Sequence, residues 1–128
     1  MKLPFINSTP TVELILRNPF TGRRYPERGE LVAVIDTGYE GFLLIPEDVF
    51  DYLFEELETE KRKLILADKR EVISRGTFGE ILFESSVLDG FIETAGGVEE
   101  FVVGAEFLKN FMLWLDYCTR TLNMWMCR

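Results

Sequence analysis

The stretch "LVAVIDTGYEGFLLIP", from Leu31 to Pro46, decides the fold because it sets a carboxylate between two apolar segments. The first segment, Leu31–Ile35, is short, apolar throughout and rich in β-branched residues, which predicts a strand covered on both faces. Asp36 ends that strand, and Thr37 and Gly38 follow. Because an isolated ionised carboxylate is costly to bury, Asp36 must find partners or a proton.

The D-T-G tripeptide has two explanations. The side chain of Asp36 can cap the backbone of its own turn, as aspartates often do. Alternatively, two carboxylates can share one proton and act as a general acid/base pair that activates water, since like charges held close cannot both ionise. Neither Asp89 nor Asp116 repeats the sequence context of Asp36. A twofold dimer would supply the second carboxylate as another copy of Asp36.

The composition of the chain excludes several kinds of partner and catalytic site. The chain has 128 residues, which predicts a single domain over 1–128. Its 22 acidic and 14 basic residues give a net charge of −8, which argues against nucleic acid as a partner. With no histidine and two cysteines, Ser-His and Cys-His nucleophiles are excluded and a metal site is not expected. No apolar run is long enough to span a membrane and no signal peptide is evident, so we expect a cytoplasmic protein.

The rest of the pattern predicts a mostly β chain, either a barrel or a sandwich, with two short helices. The predicted elements are a strand over Thr11–Asn18, a helix over Pro46–Glu58 followed by a solvated helix end at 58–63, hairpins over 63–75 and 76–94, a strand over Val98–Gly104, a helix over Ala105–Phe111, and strands over 112–117 and 121–126. In the second hairpin, Asp89-Gly90 is the predicted two-residue turn.

Several of these segments, in this order, resemble the retroviral-type (retropepsin-like, clan AA) aspartic proteases, specifically their small, single-lobed prokaryotic members. The resemblance runs from about Thr11 to Trp125 and is carried by "VAVIDTG", "GFLLIP" with its helix, "LILADKREV", "FVVGAEFLKNF" and "LWLDYCTRTLNMW". It implies a closed acid-protease-like β-barrel that forms a twofold homodimer. It also implies an aspartic endopeptidase that takes a peptide or protein in extended conformation and needs no cofactor.

The resemblance also implies a role for each matching residue near the D-T-G turn. Asp36 would be catalytic, paired with Asp36 of a second chain. Thr37 would hydrogen-bond across the dimer axis, and Gly38 would leave room for coplanar carboxylates and for substrate. Gly104 would be the packing glycine beneath Asp36. Tyr39, where viral members usually have alanine, would lie beside the cleft and reshape it.

A flap would close over the substrate at the tip of the first hairpin. The resemblance places Leu66, Ala67, Asp68 and Lys69 at or near this tip, which is charged here rather than glycine-rich. The charged tip and Tyr39 favour the alternative function, a dimer of the same fold that holds an extended peptide without cutting it. A third possibility is a monomer in which Asp36 only caps its turn.

Overall fold

The computed structural model describes residues 2–65 and 69–127, which form strands with two short helices. The strands are β1 (Lys2–Pro4), β2 (Thr11–Arg17), β3 (Arg24–Tyr25), β4 (Leu31–Ile35), β5 (Leu43–Leu44), β6 (Glu60–Ile65), β7 (Glu71–Phe83), β8 (Ser86–Thr94), β9 (Phe101–Val103), β10 (Phe111–Asp116) and β11 (Thr121–Met126). The helices are α1 (Glu47–Phe54) and α2 (Ala105–Leu108).

Six strands close into a barrel. They neighbour one another in the order β2-β4-β9-β5-β8-β7, and β7 pairs back onto β2 through Ile15–Arg17 and Glu80–Leu82. The short β3 extends from β2, and β6 extends from β7, outside the ring. A separate three-stranded sheet has the order β1-β11-β10. The predicted mostly β barrel is therefore confirmed.

The core of the barrel follows from the alternation in β2. Val12, Leu14 and Leu16 are all fully buried, while Glu13 between them is exposed, as the period of two predicts. Phe107 from α2 packs against Phe83 and Phe111 in the same core. Burying each such side chain contributes about 1.5–3 kcal/mol relative to leaving it in water. These apolar contacts hold the strand ends that carry the candidate site.

Helix α1 covers one side of the barrel and is shorter than predicted. Its buried residues, Val49, Phe50, Leu53 and Phe54, share one face at helical spacing. The helix ends at Phe54 rather than at Glu58. At this end the Asn18 side chain donates to the Leu53 carbonyl oxygen at 2.9 Å, which satisfies a carbonyl that a longer helix would have used.

The predicted turn at Asp89-Gly90 is wrong, because both residues lie inside β8, opposite Glu80 and Gly79 of β7. The hairpin turns instead at Glu84-Ser85, where Phe83 faces Ser86 and Glu84 has a φ of 56°. At position 90 a Cβ atom would lie 2.5 Å from Cγ of Phe42. Glycine is therefore needed there for close packing against an aromatic ring, not for a turn.

Two further predictions need correction, and a short strand was missed. β4 is not covered on both faces, because 42 % of Val32 is exposed in the single chain. Residues 60–63 are not a helix end but the start of β6. The N-terminal β1, which pairs with β11, was not predicted because three residues carry too little periodicity. In the described residues no helix is long and apolar enough to cross a membrane.

Candidate active site

Asp36 lies directly after β4, at the end of a parallel strand pair. Its backbone N–H donates to the carbonyl oxygen of Val103 on β9 at 3.0 Å, which continues the β4–β9 pairing by one residue. Its Oδ1 accepts the Gly38 N–H at 2.9 Å, and its carbonyl oxygen accepts the Tyr39 N–H at 3.2 Å. The carboxylate is thus held by its own turn, as the turn-capping explanation predicts, and it is also exposed to solvent.

The loop after Asp36 rests on the first turn of α2. Ala105 N–H donates to the Tyr39 carbonyl oxygen at 2.8 Å, and Glu106 N–H donates to that of Gly41 at 3.1 Å. A Cβ atom on Gly104 would overlap both of those carbonyl oxygens and would lie 2.5 Å from Cδ2 of Tyr39. Gly104 therefore lies beneath the loop that follows Asp36, where only glycine fits.

A cleft opens beside the carboxylate. A cavity of about 260 Å³ is lined by Asp36, Gly38, Tyr39, Leu44, Leu64, Ile65 and Val102. A neighbouring cavity of about 410 Å³ separates residues 38–41 from residues 62–65 of β6. The walls near Asp36 are mainly aliphatic, and one of them belongs to the β6–β7 hairpin. This arrangement suits an apolar group next to the carboxylate.

Of the four predicted flap residues, the structure describes one, Lys69. The hairpin that would carry the flap is present, with Glu60–Ile65 antiparallel to Glu71–Gly76. Leu66, Ala67 and Asp68 lie outside the described residues. Lys69 is described and has a φ of 66°, a left-handed conformation common in turns. Thr37 is exposed, so its hydroxyl is accessible to a partner.

Sequence reasoning missed a buried carboxylate near this site. Glu93 on β8 is fully buried, and its Oε2 accepts hydrogen bonds from the Tyr39 hydroxyl and from Nη2 of Arg62. Its Oε1 accepts from Nε of Arg62 at 2.8 Å and from Oγ of Ser74 at 2.6 Å. In the sequence Glu93 is a single acidic residue between Ile92 and Thr94, within a segment predicted as a hairpin, so nothing local distinguished it from a surface residue.

The hydrogen bond to Glu93 changes the proton affinity of Tyr39. Burial, followed by the hydrogen bond and the charge of Glu93, raises the pKa of the hydroxyl well above its ordinary value of 10.0. The donor hydrogen is therefore retained at all moderate pH values. The pKa of Arg62 is also raised, first by its hydrogen bond to Glu93, so the guanidinium stays charged.

At alkaline pH the unfolding free energy should fall, partly because the contribution of the protonated Tyr39 hydroxyl is lost. Because its pKa is higher in the folded chain than in the unfolded one, its contribution is complete below about pH 10 and decreases as pH rises further. We expect the difference in unfolding free energy between the wild type and Tyr39→Phe to shrink from pH 9 to 11.5, measured by urea denaturation. A constant difference would contradict the assignment. Tyr117→Phe provides the comparison at an exposed tyrosine.

The described residues contain no cluster of histidine, cysteine or acidic side chains arranged to hold a metal ion. What one chain does present is an exposed carboxylate, hydrogen-bonded to its own turn, at the edge of an aliphatic cleft. A carboxylate in this position can accept or donate a proton, and hydrolysis of an unactivated bond needs both functions at once.

Comparisons with known proteins give a sequence relative and structural neighbours. No family model matches the sequence. An uncharacterized protein of Archaeoglobus fulgidus is 45 % identical over 126 residues, which cover 96 % of this chain and 98 % of its relative. The chain belongs to the same family as this archaeal protein. That relationship covers nearly the whole of both chains and so includes the candidate site.

Two solved structures share the fold of this chain. EIAV protease, complexed with the inhibitor HBY-793, has a TM-score of 0.56 and 14 % identity, with 81 % of this chain and 88 % of that chain covered. A retropepsin-like aspartic protease from Rickettsia conorii has a TM-score of 0.51 and 12 % identity, with 89 % and 90 % covered. At these identities the likeness is one of fold alone: a retropepsin-like barrel.

Proposed function

We propose that the protein is an aspartic endopeptidase that works as a homodimer, with one Asp36 from each chain. The two carboxylates share a proton: one accepts a proton from water, and the other donates to the carbonyl oxygen of the scissile peptide, as established for aspartic proteases. The attacking water oxygen bonds to the carbonyl carbon, and the C–N bond breaks as its nitrogen takes up a proton. No cofactor takes part.

The observation that carries this proposal is the place of Asp36 in the retropepsin-like fold. The D-T-G turn follows a barrel strand, projects its carboxylate to solvent and borders a cleft whose other wall is the β6–β7 hairpin. A carboxylate that only capped its turn would not need a cleft beside it. In this proposal Thr37 binds the partner's turn, and residues 66–69 cover the peptide. Localisation in the cytoplasm stays a prediction from the sequence.

A second copy of the chain would dock on the outer face of the β1-β11-β10 sheet. Met112 and Trp125 are register partners, and Trp114 lies two residues along on the same face; 63 %, 46 % and 63 % of these residues are exposed, respectively. The opposite face packs inward through Leu122 and Met124. We infer a second copy as the occupant of this face because the proposed chemistry needs two chains and the face carries exposed aromatic residues. Exposed aromatic clusters of this kind are typical of protein interfaces.

Placing a charge on that face should separate the subunits. We expect Trp114→Glu to convert a micromolar dimer into a monomer in sedimentation velocity and to remove cleavage, while each chain keeps its fold, because the residue is exposed in the single chain. Phe20→Glu is the matched control, since Phe20 is also an exposed aromatic residue, 79 % exposed, but lies in the β2–β3 connection. A Trp114→Glu protein that stays dimeric would exclude this face as the interface.

The function itself is tested by cleavage. Wild type and Asp36→Asn are incubated with a library of unfolded peptides from pH 3 to 7, and new termini are identified by mass spectrometry. We expect cuts in the wild type alone, stronger toward acid because an active pair must retain one proton. If a dimeric wild type and Asp36→Asn give the same fragments at every pH, the enzyme is excluded. Peptide binding without cuts would then favour the binding function.

A further inference from the structure

Glu93 is the point at which four segments of the chain meet. Its carboxylate accepts hydrogen bonds from the loop after Asp36 (Tyr39), from β6 (Arg62) and from β7 (Ser74), while Glu93 itself belongs to β8. Its backbone carbonyl oxygen also accepts the Ile45 N–H at 2.9 Å. Each carboxylate oxygen has two donors, so the charge is fully compensated although no part of the side chain reaches solvent.

Two of the donors belong to opposite walls of the cleft. Tyr39 stands three residues after Asp36, and Arg62 is two residues before Leu64, which lines the cavity that contains Asp36. The cavity of about 410 Å³ lies between these same two segments, residues 38–41 and 62–65. Glu93 therefore bridges the base of the space in which the peptide would lie.

Two glycines leave space for this bridge, which consists of the contacts of Tyr39 and Arg62 with Glu93. A Cβ atom at Gly41 would overlap the Tyr39 hydroxyl and would lie 2.8 Å from Nη2 of Arg62. Gly104 is equally restricted by the ring of Tyr39. The aromatic ring is thus packed against two glycines, with its hydroxyl donating to Glu93.

The bridge matters most for β6. In the described part of the chain β6 pairs with β7 alone and stands outside the closed ring, and five of its six residues are exposed. A strand held along one edge can tilt, and a tilt of β6 would move Leu64 and Ile65 relative to Asp36. The bidentate contact from Arg62 to a buried carboxylate restrains that tilt at the wall of the cleft.

We propose that Glu93 is a positioning residue that sets the width of the peptide cleft by fixing Tyr39 and Arg62, and with them β6 and the loop after Asp36, to the barrel. This proposal rests on the proposed function for its consequence, the binding of an extended peptide. Loss of one bridge should widen the distribution of cleft geometries and weaken peptide binding, while the chemistry of a correctly bound peptide continues.

The kinetic test uses peptides that the wild-type dimer cuts. Tyr39→Phe removes one hydroxyl and keeps the ion pair; we expect KM to rise about tenfold and kcat to change by less than about twofold. Glu93→Gln removes the charge and should raise KM further. Lys61→Gln is the control, because Lys61 lies on the same strand but outside both cavities. An unchanged KM in Tyr39→Phe, or a loss of kcat alone, would overturn the proposal.

A second measurement separates this proposal from the protease itself. Hydrogen exchange on the full chain should show faster exchange in Glu93→Gln at the β6 amides and also at Ala105, whose N–H donates to the Tyr39 carbonyl oxygen. If Glu93→Gln does not fold, Tyr39→Phe is used for the same comparison. Wild-type exchange at both places would refute the bridge even if cleavage is established. Faster exchange at both, with no cleavage by the wild type, would keep the bridge and refute the protease.

Discussion

Replacing Asp36 by asparagine is expected to lower kcat/KM for cleaved peptides by at least about a thousandfold, the middle of the range that one general acid/base group supplies. Asparagine has nearly the same size and can still accept the Gly38 N–H through its side-chain oxygen, so the turn should persist. It cannot exchange a proton with water, so neither chain of the dimer can activate the nucleophile. An unchanged circular dichroism spectrum and sedimentation coefficient serve as the folding control.

Mixing subunits tests whether the carboxylates are shared. If each site needs Asp36 from both chains, random exchange between equal amounts of wild type and Asp36→Asn leaves about a quarter of the dimers active, half the activity of the wild-type portion alone. Exchange is verified by co-purification through a tag on one population. Activity equal to or above that of the wild-type portion after exchange would show that one Asp36 is sufficient, because the mixed dimers would then be active as well.

Replacing Gly104 by alanine is expected to have the second large effect, a loss of unfolding free energy. The added methyl group would overlap the carbonyl oxygens of Tyr39 and Gly41, which are backbone atoms already bound to the first amides of α2. Neither side can move without breaking those hydrogen bonds, so we expect a loss of about 3 kcal/mol in unfolding free energy, the upper end for overpacking. Urea denaturation at fixed protein concentration measures this loss, and cleavage should fall with it because the loop carries Asp36.

Gly96→Ala is the matched control for that substitution. Gly96 is exposed, and a Cβ atom there would meet a single neighbour, Oε1 of Glu47, at an ordinary 3.8 Å. We expect its unfolding free energy to stay within about 0.5 kcal/mol of the wild type. If Gly104→Ala behaved like Gly96→Ala, the loop would be far more adaptable than the close contacts indicate.

The D-T-G turn and the mostly β class could be predicted from the residues because their signals are local, whereas the choice of a closed barrel over a sandwich came from the resemblance to the retropepsin-like proteases. β-Branched residues before Asp36, the alternation of β2 and the apolar face of α1 each lie within a few neighbouring residues. The prediction of a turn at Asp89-Gly90 was wrong for the same reason, since the local signal is that of a turn. Glycine is needed at position 90 because of close packing against Phe42, 48 residues earlier in the chain. Local preference was overridden by tertiary packing.

The Glu93 cluster could not be predicted because its partners are distant in sequence. Tyr39 lies 54 residues from Glu93, and Arg62 lies 31 residues from it. In the sequence Arg62 is one of several charges in "ETEKRK", which is typical of a solvated surface. Only the pairing of β6 with β7 and of β7 with β8 brings that arginine over the buried carboxylate.

The closure of the barrel by β2 and β7 also constrains how the chain can fold. The side chains of Arg17 and Glu80, which form a hydrogen bond between the two strands, are 63 residues apart in the chain. The parallel partner of β4 is β9, which also comes much later in the chain. The β7–β8 hairpin, by contrast, closes through a two-residue loop. We expect this hairpin to form early and the ring to close late, with slow refolding typical of chains dominated by distant pairings. During synthesis, the strand that carries Asp36 would emerge long before the strand that supports it.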